Sequence, residues 1–221
     1  RIVVFGPDGN EVRSWGKAAP QGRAPGPGEF VDVTDVAAGP EGTVYVSDYN
    51  ANRIQVFSGE GQLKAALDAS VTQVGGPNGL GVSPDGKLYI ANTSQNVVVR
   101  LPNLSSVSEE TKAQLSEAPY VLAGSLGPGK LDQTLDVAIN PQDPNQVFVA
   151  DVKNRVLQLD AEGNTTGQWD LPVGLEDGGA RLAFSTDGKL VYMTDPERNR
   201  VAVLDPKNGS TAYFGNSGSE P

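Results

Sequence analysis

Apolar residues along this chain come in short runs broken by turn residues, and the runs recur in a fixed order. In the first complete unit they occupy residues 35–38, 43–48, 53–57 and 62–67. Runs this short and this rich in Val, Ile, Tyr and Phe predict strands. The breaks carry matching chemistry: Gly39-Pro40-Glu41-Gly42, Ser83-Pro84-Asp85-Gly86, Ser185-Thr186-Asp187-Gly188 and Gly6-Pro7-Asp8-Gly9. Proline fixes its own φ, Asp folds back on the backbone, and Gly takes φ > 0 without a steric penalty, so these are hairpin turns.

Each unit is therefore expected to be a four-stranded antiparallel meander, and one phrase marks its centre. It reads Tyr45-Val46-Ser47-Asp48, a polar turn, then Asn52-Arg53-Ile54-Gln55-Val56-Phe57. It returns around Asn92, Asp151 and Asp195, with gaps of 44, 59 and 44 residues, a period that suits propeller blades. The chain opens on the back half of the same phrase, Arg1-Ile2-Val3-Val4-Phe5. One meander cannot bury both of its faces, whereas several stacked around an axis can. The expected fold is an all-β propeller with about four and a half blades. A half blade falls at 1–15 and blades at roughly 30–67, 78–123, 135–170 and 181–214. The one helical pattern covers 106–115, where Ser106 and Glu109 fit a capping box.

The phrase resembles the NHL repeat. Gly26-Pro27-Gly28-Glu29-Phe30 and Gly127-Pro128-Gly129-Lys130-Leu131 are similar to that family's loop into the innermost strand. The second unit departs from the pattern, with Val97 where Arg is expected. The resemblance implies six blades, so this single domain of 221 residues is expected to be part of a longer propeller in a larger protein.

Composition removes several functions. The formal charge is −10. Some animal NHL proteins read single-stranded RNA on a basic face, but an acidic field repels phosphate and forfeits counterion release. No nucleic acid partner is expected. Acidity and the resemblance point to a bacterial protein with an extracellular or periplasmic setting. No apolar run approaches membrane-spanning length, so any membrane contact would come through parts of a parent protein outside this chain. Cysteine is absent, which excludes disulfides and thiol chemistry here. Histidine is absent too. Zinc-dependent amidating lyases, paraoxonase-type lactonases and quinone-dependent sugar dehydrogenases resemble this architecture and rely on His. The N-x-S/T triplets at Asn92, Asn103, Asn164 and Asn208 are of a kind that chance supplies often.

Two sets of positions remain as candidates. The residue five before the first-hairpin Pro is Asp35, with Gly79, Asp136 and Arg181 as its equivalents, and Asn78 stands one before Gly79. In a propeller these converge at the mouth of the central channel. Asp35, Asn78 and Asp136 could hold Ca²⁺ or Mg²⁺ for a gluconolactonase-like hydrolase. The alternative is that the carboxylates cap turns and pair with Arg181, and no cofactor is then needed. The second set lies on the top-face turns and entry loops (17–30, 68–77, 125–134 and 171–179), where the copies disagree: Tyr49, Asn50, Lys153, Glu197 and Arg198, with Asn78 and Arg181 beside them. Loops on a rigid scaffold carry binding, so the leading expectation is a non-catalytic module that binds a protein, peptide or glycan. By contrast Asp48, Asp151 and Asp195, with Arg53, Arg155 and Arg200, recur in every such blade. They are read as turn-satisfying scaffold.

Overall fold

The computed structural model describes residues 1–117, 121–123, 131–171 and 180–215. A half blade comes first, with β1 (Ile2–Phe5) antiparallel to β2 (Glu11–Trp15). The loop into the first full blade contains a short parallel pair, β3 (Lys17–Ala18) and β4 (Glu29–Phe30). Blade 1 is β5 (Val33–Ala38), β6 (Val44–Asp48), β7 (Arg53–Phe57) and β8 (Leu63–Asp68). A single turn of helix, α1 (Ala69–Thr72), leads to blade 2: β9 (Pro77–Val82), β10 (Lys87–Asn92), β11 (Val97–Asn103), helix α2 (Glu109–Glu117) and β12 (Val121–Ala123). Blade 3 is β13 (Thr134–Asn140), β14 (Asp143–Asp151), β15 (Arg155–Leu159) and β16 (Thr165–Asp170). Blade 4 is β17 (Leu182–Phe184), β18 (Val191–Asp195), β19 (Arg200–Asp205) and β20 (Ser210–Phe214). In each blade the four strands pair in chain order, and β5, β9, β13 and β17 pack against one another in sequence as the innermost strands. This is the propeller meander that the periodicity predicts.

Stacking explains why the second strands are apolar at nearly every position. Leu88 and Ile90 of β10 face blade 1, where Tyr45, Ile54 and Val56 meet them. Tyr89 and Ala91, pointing the other way, join Val137, Val147 and Val149 of blade 3. Phe148 and Ala150 of β14 then turn to blade 4 and its Val191 and Met193. A strand buried on both faces reads as a continuous apolar run instead of an alternating one. Large exposed apolar side chains among the described residues are Phe5 and Val12 on the half blade, Val31, Val33 and Val36 at and before β5, Leu63 on β8 and Phe214 on β20.

The helix differs from expectation at its start. α2 begins at Glu109, and its cap is Ser108, whose Oγ accepts the Thr111 N–H at 3.1 Å. Thr111 Oγ1 in turn accepts the Ser108 N–H at 3.4 Å. The reciprocal capping geometry is present, but it uses Ser108 and Thr111. Ser106 is exposed and lies before the helix. The short α1 is absent from the sequence reading, since one turn has no periodicity to detect.

Phe148 is fully buried, stacked on Trp169 (centroids 5.7 Å apart) and edge-on to Phe184 across the blade boundary (5.0 Å). Phe148→Ala should lower the unfolding free energy by about 3–5 kcal/mol. Urea denaturation checks this, and a loss under 1 kcal/mol would show that the blade 3–blade 4 contact is not cooperative with the rest.

Candidate functional site

The four equivalent positions on the innermost strands do meet, and they are tied to backbone. Asp35 of β5 accepts its neighbour Val36 N–H at 2.8 Å through Oδ1 and the Leu80 N–H of β9 at 2.7 Å through Oδ2. Asp136 of β13 repeats the arrangement with Val137 N–H at 2.9 Å and Leu182 N–H of β17 at 2.6 Å. Each carboxylate thus fastens its own strand to the next innermost strand. Between them Gly79 has no side chain, and a Cβ there would lie 1.8 Å from Asp136 Oδ1. Glycine is required at this point by close approach. Arg181 reaches back over the axis, donating from Nη2 to Thr34 O at 2.8 Å and to Asn78 Oδ1 at 3.2 Å, and from Nη1 to Ala180 O at 2.7 Å.

Electrostatics separate the two carboxylates. Burial pushes Asp35 above the ordinary carboxylate range, against two backbone N–H groups and the Arg181 charge that pull it down. Asp136, 3% exposed, is pushed up to about 7 by burial first and by the Asp35 charge second. At both carboxylates the loss of hydration on burial outweighs the two hydrogen bonds. Among the described residues, no cluster of three or more His, Cys, Asp or Glu side chains is placed to hold a metal ion.

The top-face candidates are more varied. Asn50 is exposed and donates to Asp32 Oδ2 at 2.9 Å, and Lys153 is exposed and pairs with Asp132 at 3.1 Å. Glu197 and Arg198 are exposed, with Arg198 Nη1 3.5 Å from Asp195. Tyr49 is covered, although a place on a turn would ordinarily expose it. It is half-buried, because its ring lies against Gly76 in the loop entering blade 2. The run of residues 22–28, part of the entry loop, is anchored at Gly28, whose N–H donates to Gln55 Oε1 at 2.8 Å. The Glu176-Asp177 pair lies outside the described residues.

The repeated carboxylates are scaffold, though by a longer reach than a turn. Asp48, fully buried, accepts Val31 and Asp32 N–H groups at 3.0 and 2.8 Å through Oδ1, and Arg53 Nε and Nη2 through Oδ2. It therefore pins the entry loop of its own blade. Asp151 holds both the entry loop, through Asp132 N–H, and the turn, through Lys153 N–H. The Asn that closes the turn before each third strand sets the backbone there, and in blades 1 and 2 it also reaches the next blade. Asn52, Asn96, Asn154 and Asn199 all take positive φ (49°, 56°, 61° and 50°), which suits Asn. Asn52 Oδ1 also accepts Gly76 N–H of the next entry loop at 2.7 Å, and Asn96 Oδ1 accepts Gln133 N–H at 2.7 Å. The fourfold recurrence of Asn signals its importance in the sequence, but nothing local shows that its partner lies one blade away. In blade 2 Asn92 replaces Asp, Val97 replaces Arg, and Val97 joins an apolar cluster with Val74 of the entry segment and Leu115 of α2.

Against known proteins, the NHL repeat family model matches residues 30–57. NHL repeat-containing protein 3 of Mus musculus is 28% identical over 220 residues, covering 95% of this chain and 60% of that protein. Among solved structures, virginiamycin B lyase of Staphylococcus aureus in a catalytically inactive form with quinupristin aligns at TM-score 0.63 and 14% identity, over 98% of this chain and 62% of that one. Hydrazine synthase of Kuenenia stuttgartiensis aligns at TM-score 0.59 and 14% identity, over 90% and 53%. At such identities the structural likeness shows the fold. This chain spans less than two thirds of the length of these relatives.

Two outcomes follow from the buried groups. Asp48→Ala strands a buried Arg53 and two N–H groups, and should cost about 3–5 kcal/mol by urea denaturation; a loss below 1 kcal/mol would contradict the scaffold role. Asp136 binds its proton more tightly folded than unfolded, so its contribution is complete at low pH and is lost as pH rises from about 4 through about 7. Compared with Asp136→Asn, the parent chain should lose stability over that window, by at most about 1.4 kcal/mol per pH unit. Parallel pH profiles of the two chains would refute this.

Proposed function

We propose that this NHL-repeat propeller chain is a non-catalytic recognition module, part of a larger protein, that binds a protein, peptide or glycan through its top-face loops. The observation that carries the reading is how the polar groups are used. The Asp–Arg pairs of blades 1, 3 and 4 and the cross-blade Asn bonds of blades 1 and 2 are spent on scaffold backbone or on one another. Asn50, Lys153, Glu197 and Arg198 differ from blade to blade and stand exposed on the turns that join the second and third strands. Binding specificity is carried by groups of that kind. The net charge of −10 weighs against a nucleic acid partner.

A second reading places Ca²⁺ or Mg²⁺ at the channel mouth for a lactonase-type hydrolysis, held by Asp35, Asn78 and Asp136. The geometry favours recognition over it. The Asn78 amide oxygen already accepts from Arg181, whose fixed positive charge would repel a divalent cation. All four carboxylate oxygens of the two Asp residues accept backbone N–H groups.

Selection from a displayed peptide library on the immobilised chain tests both. Lys153→Glu and Arg198→Glu should abolish enrichment at an unchanged Tm, while Phe148→Ala should lower Tm and leave enrichment at temperatures where the chain is folded. A rise in Tm with millimolar Ca²⁺, lost in Asp35→Asn, would favour the cation reading instead.

A further inference from the structure

At the end of the blades opposite the top-face turns, two junctions between neighbouring blades are bridged by a polar bond and a third is not. Between blades 1 and 2 the Tyr45 hydroxyl accepts the Leu104 N–H at 3.3 Å. Between blades 2 and 3 Arg100 Nη1 donates to Ala161 O at 2.9 Å. In both cases a side chain from the middle strands of one blade reaches the segment that leaves the third strand of the next.

Between blades 3 and 4 the matching side chains make no such bond. Phe148 stands where Tyr45 stands and has no hydroxyl. Gln158 stands where Arg100 stands, since each pairs with the second-strand aromatic of its blade, Phe148 and Tyr89. Pro206 follows Asp205 as Ala161 follows Asp160. Gln158 and Pro206 line a cleft of about 360 Å³ instead of meeting. Both blades have all four strands, and the inner part of their junction is bonded shut. Asn140 Nδ2 donates to Gly188 O at 3.1 Å, and Gln142 Nε2 donates to Thr186 O at 3.0 Å. The cleft is therefore a gap inside a packed junction of complete blades.

Its chemistry narrows what could fill it. Lys189 and Lys207 stand at its rim, with Asp143, Asp187 and Asp205 around them, so no excess positive charge selects an anion. The carboxylates are already engaged. Asp187 lies 3.0 Å from Lys189, Asp143 accepts from Gln146, and both Asp205 oxygens accept from the turn at Lys207 and Asn208. That leaves no vacant carboxylate to hold a cation. The half-buried Gln158 amide and the exposed Lys207 ammonium make no side-chain hydrogen bond or ion pair among the described residues. One amide offers both a donor and an acceptor, and the ammonium adds donors. We propose that this cleft binds a neutral saccharide, whose hydroxyls bond Gln158 and Lys207 in place of the missing bridge. Hydroxyl groups donate and accept at once, which matches this set, and the volume lies in the range of small-molecule sites. The site is separate from the top-face loops and does not depend on their role.

The test uses the ¹⁵N-labelled 221-residue chain with glucose, galactose, N-acetylglucosamine, maltose, cellobiose and lactose at millimolar concentrations. At least one should shift the Gln158 side-chain amide and the backbone amides of Lys189 and Lys207. Gln158→Arg recreates the blade 2 bridge onto Pro206 O, and should abolish those shifts at a Tm no lower than the parent's. Lys207→Ala, on an exposed turn, should weaken binding about tenfold without changing Tm. No shift at the cleft with any of the six sugars overturns the proposal, as does binding that survives both substitutions. A response to glucuronate alone would make the cleft an anion site and overturn the class assigned. Lys153→Glu, which probes the top face, should leave the sugar shifts intact; their loss in that variant would place the ligand elsewhere and overturn the site.

Discussion

A blade of this protein has two apolar faces and cannot exist as a single layer, and that constraint organises everything else. Tyr89 and Leu88 are adjacent in sequence yet belong to different cores, one on each side of β10. The apolar residues of β10 therefore fit neighbours that the blade itself does not contain. Apolar packing of this kind is strong and non-directional, so it does not by itself fix how far one blade rotates against the next. Polar side chains do that. Asp35 and Asp136 seize an N–H on the next innermost strand, and Asn52 and Asn96 seize one in the next entry loop.

The same economy explains why the most conspicuous charges are poor candidates for chemistry. A buried carboxylate is costly unless it is paired and hydrogen-bonded. Asp48 meets that cost with two backbone N–H groups and a guanidinium. Its capacity is spent on holding a loop. Asp136 meets the cost only in part, and its raised proton affinity is the residue of that shortfall. The groups on which the blades disagree stand at the rim of the turns, exposed, and their bonds are to neighbouring side chains and not to scaffold backbone at Asn50, Lys153 and Arg198.

Much of this was legible in the sequence, and the rest was not for identifiable reasons. Strand runs, hairpin punctuation and the repeat period act locally, so the meander and the propeller could be read from them. The structural role of Asp48, Asp151 and Asp195 could be inferred from recurrence alone. The helix was placed correctly but its start was misjudged, because Ser106 with Glu109 and Ser108 with Thr111 both satisfy a capping pattern and only the backbone path decides between them. Tyr49 looked exposed because a turn residue normally is, and the loop that covers it comes from the next blade. Gly79 looked like a gap in a row of polar residues, whereas it is the space that Asp136 fills. These misses share one origin: the deciding contact is made with a neighbouring blade, across a sequence distance that no local pattern records.

Native-state hydrogen exchange tests most directly whether blade-to-blade polar bonds hold the array in register. The amides of Gly76, Leu80, Gln133 and Leu182, each donating to a side chain of the preceding blade, should exchange only through global unfolding, with free energies equal to the slowest strand amides of β6 and β14. If they exchange at the rates of open loops while the strand ladders remain protected, the bonds are incidental, and apolar stacking alone sets how the blades are arranged.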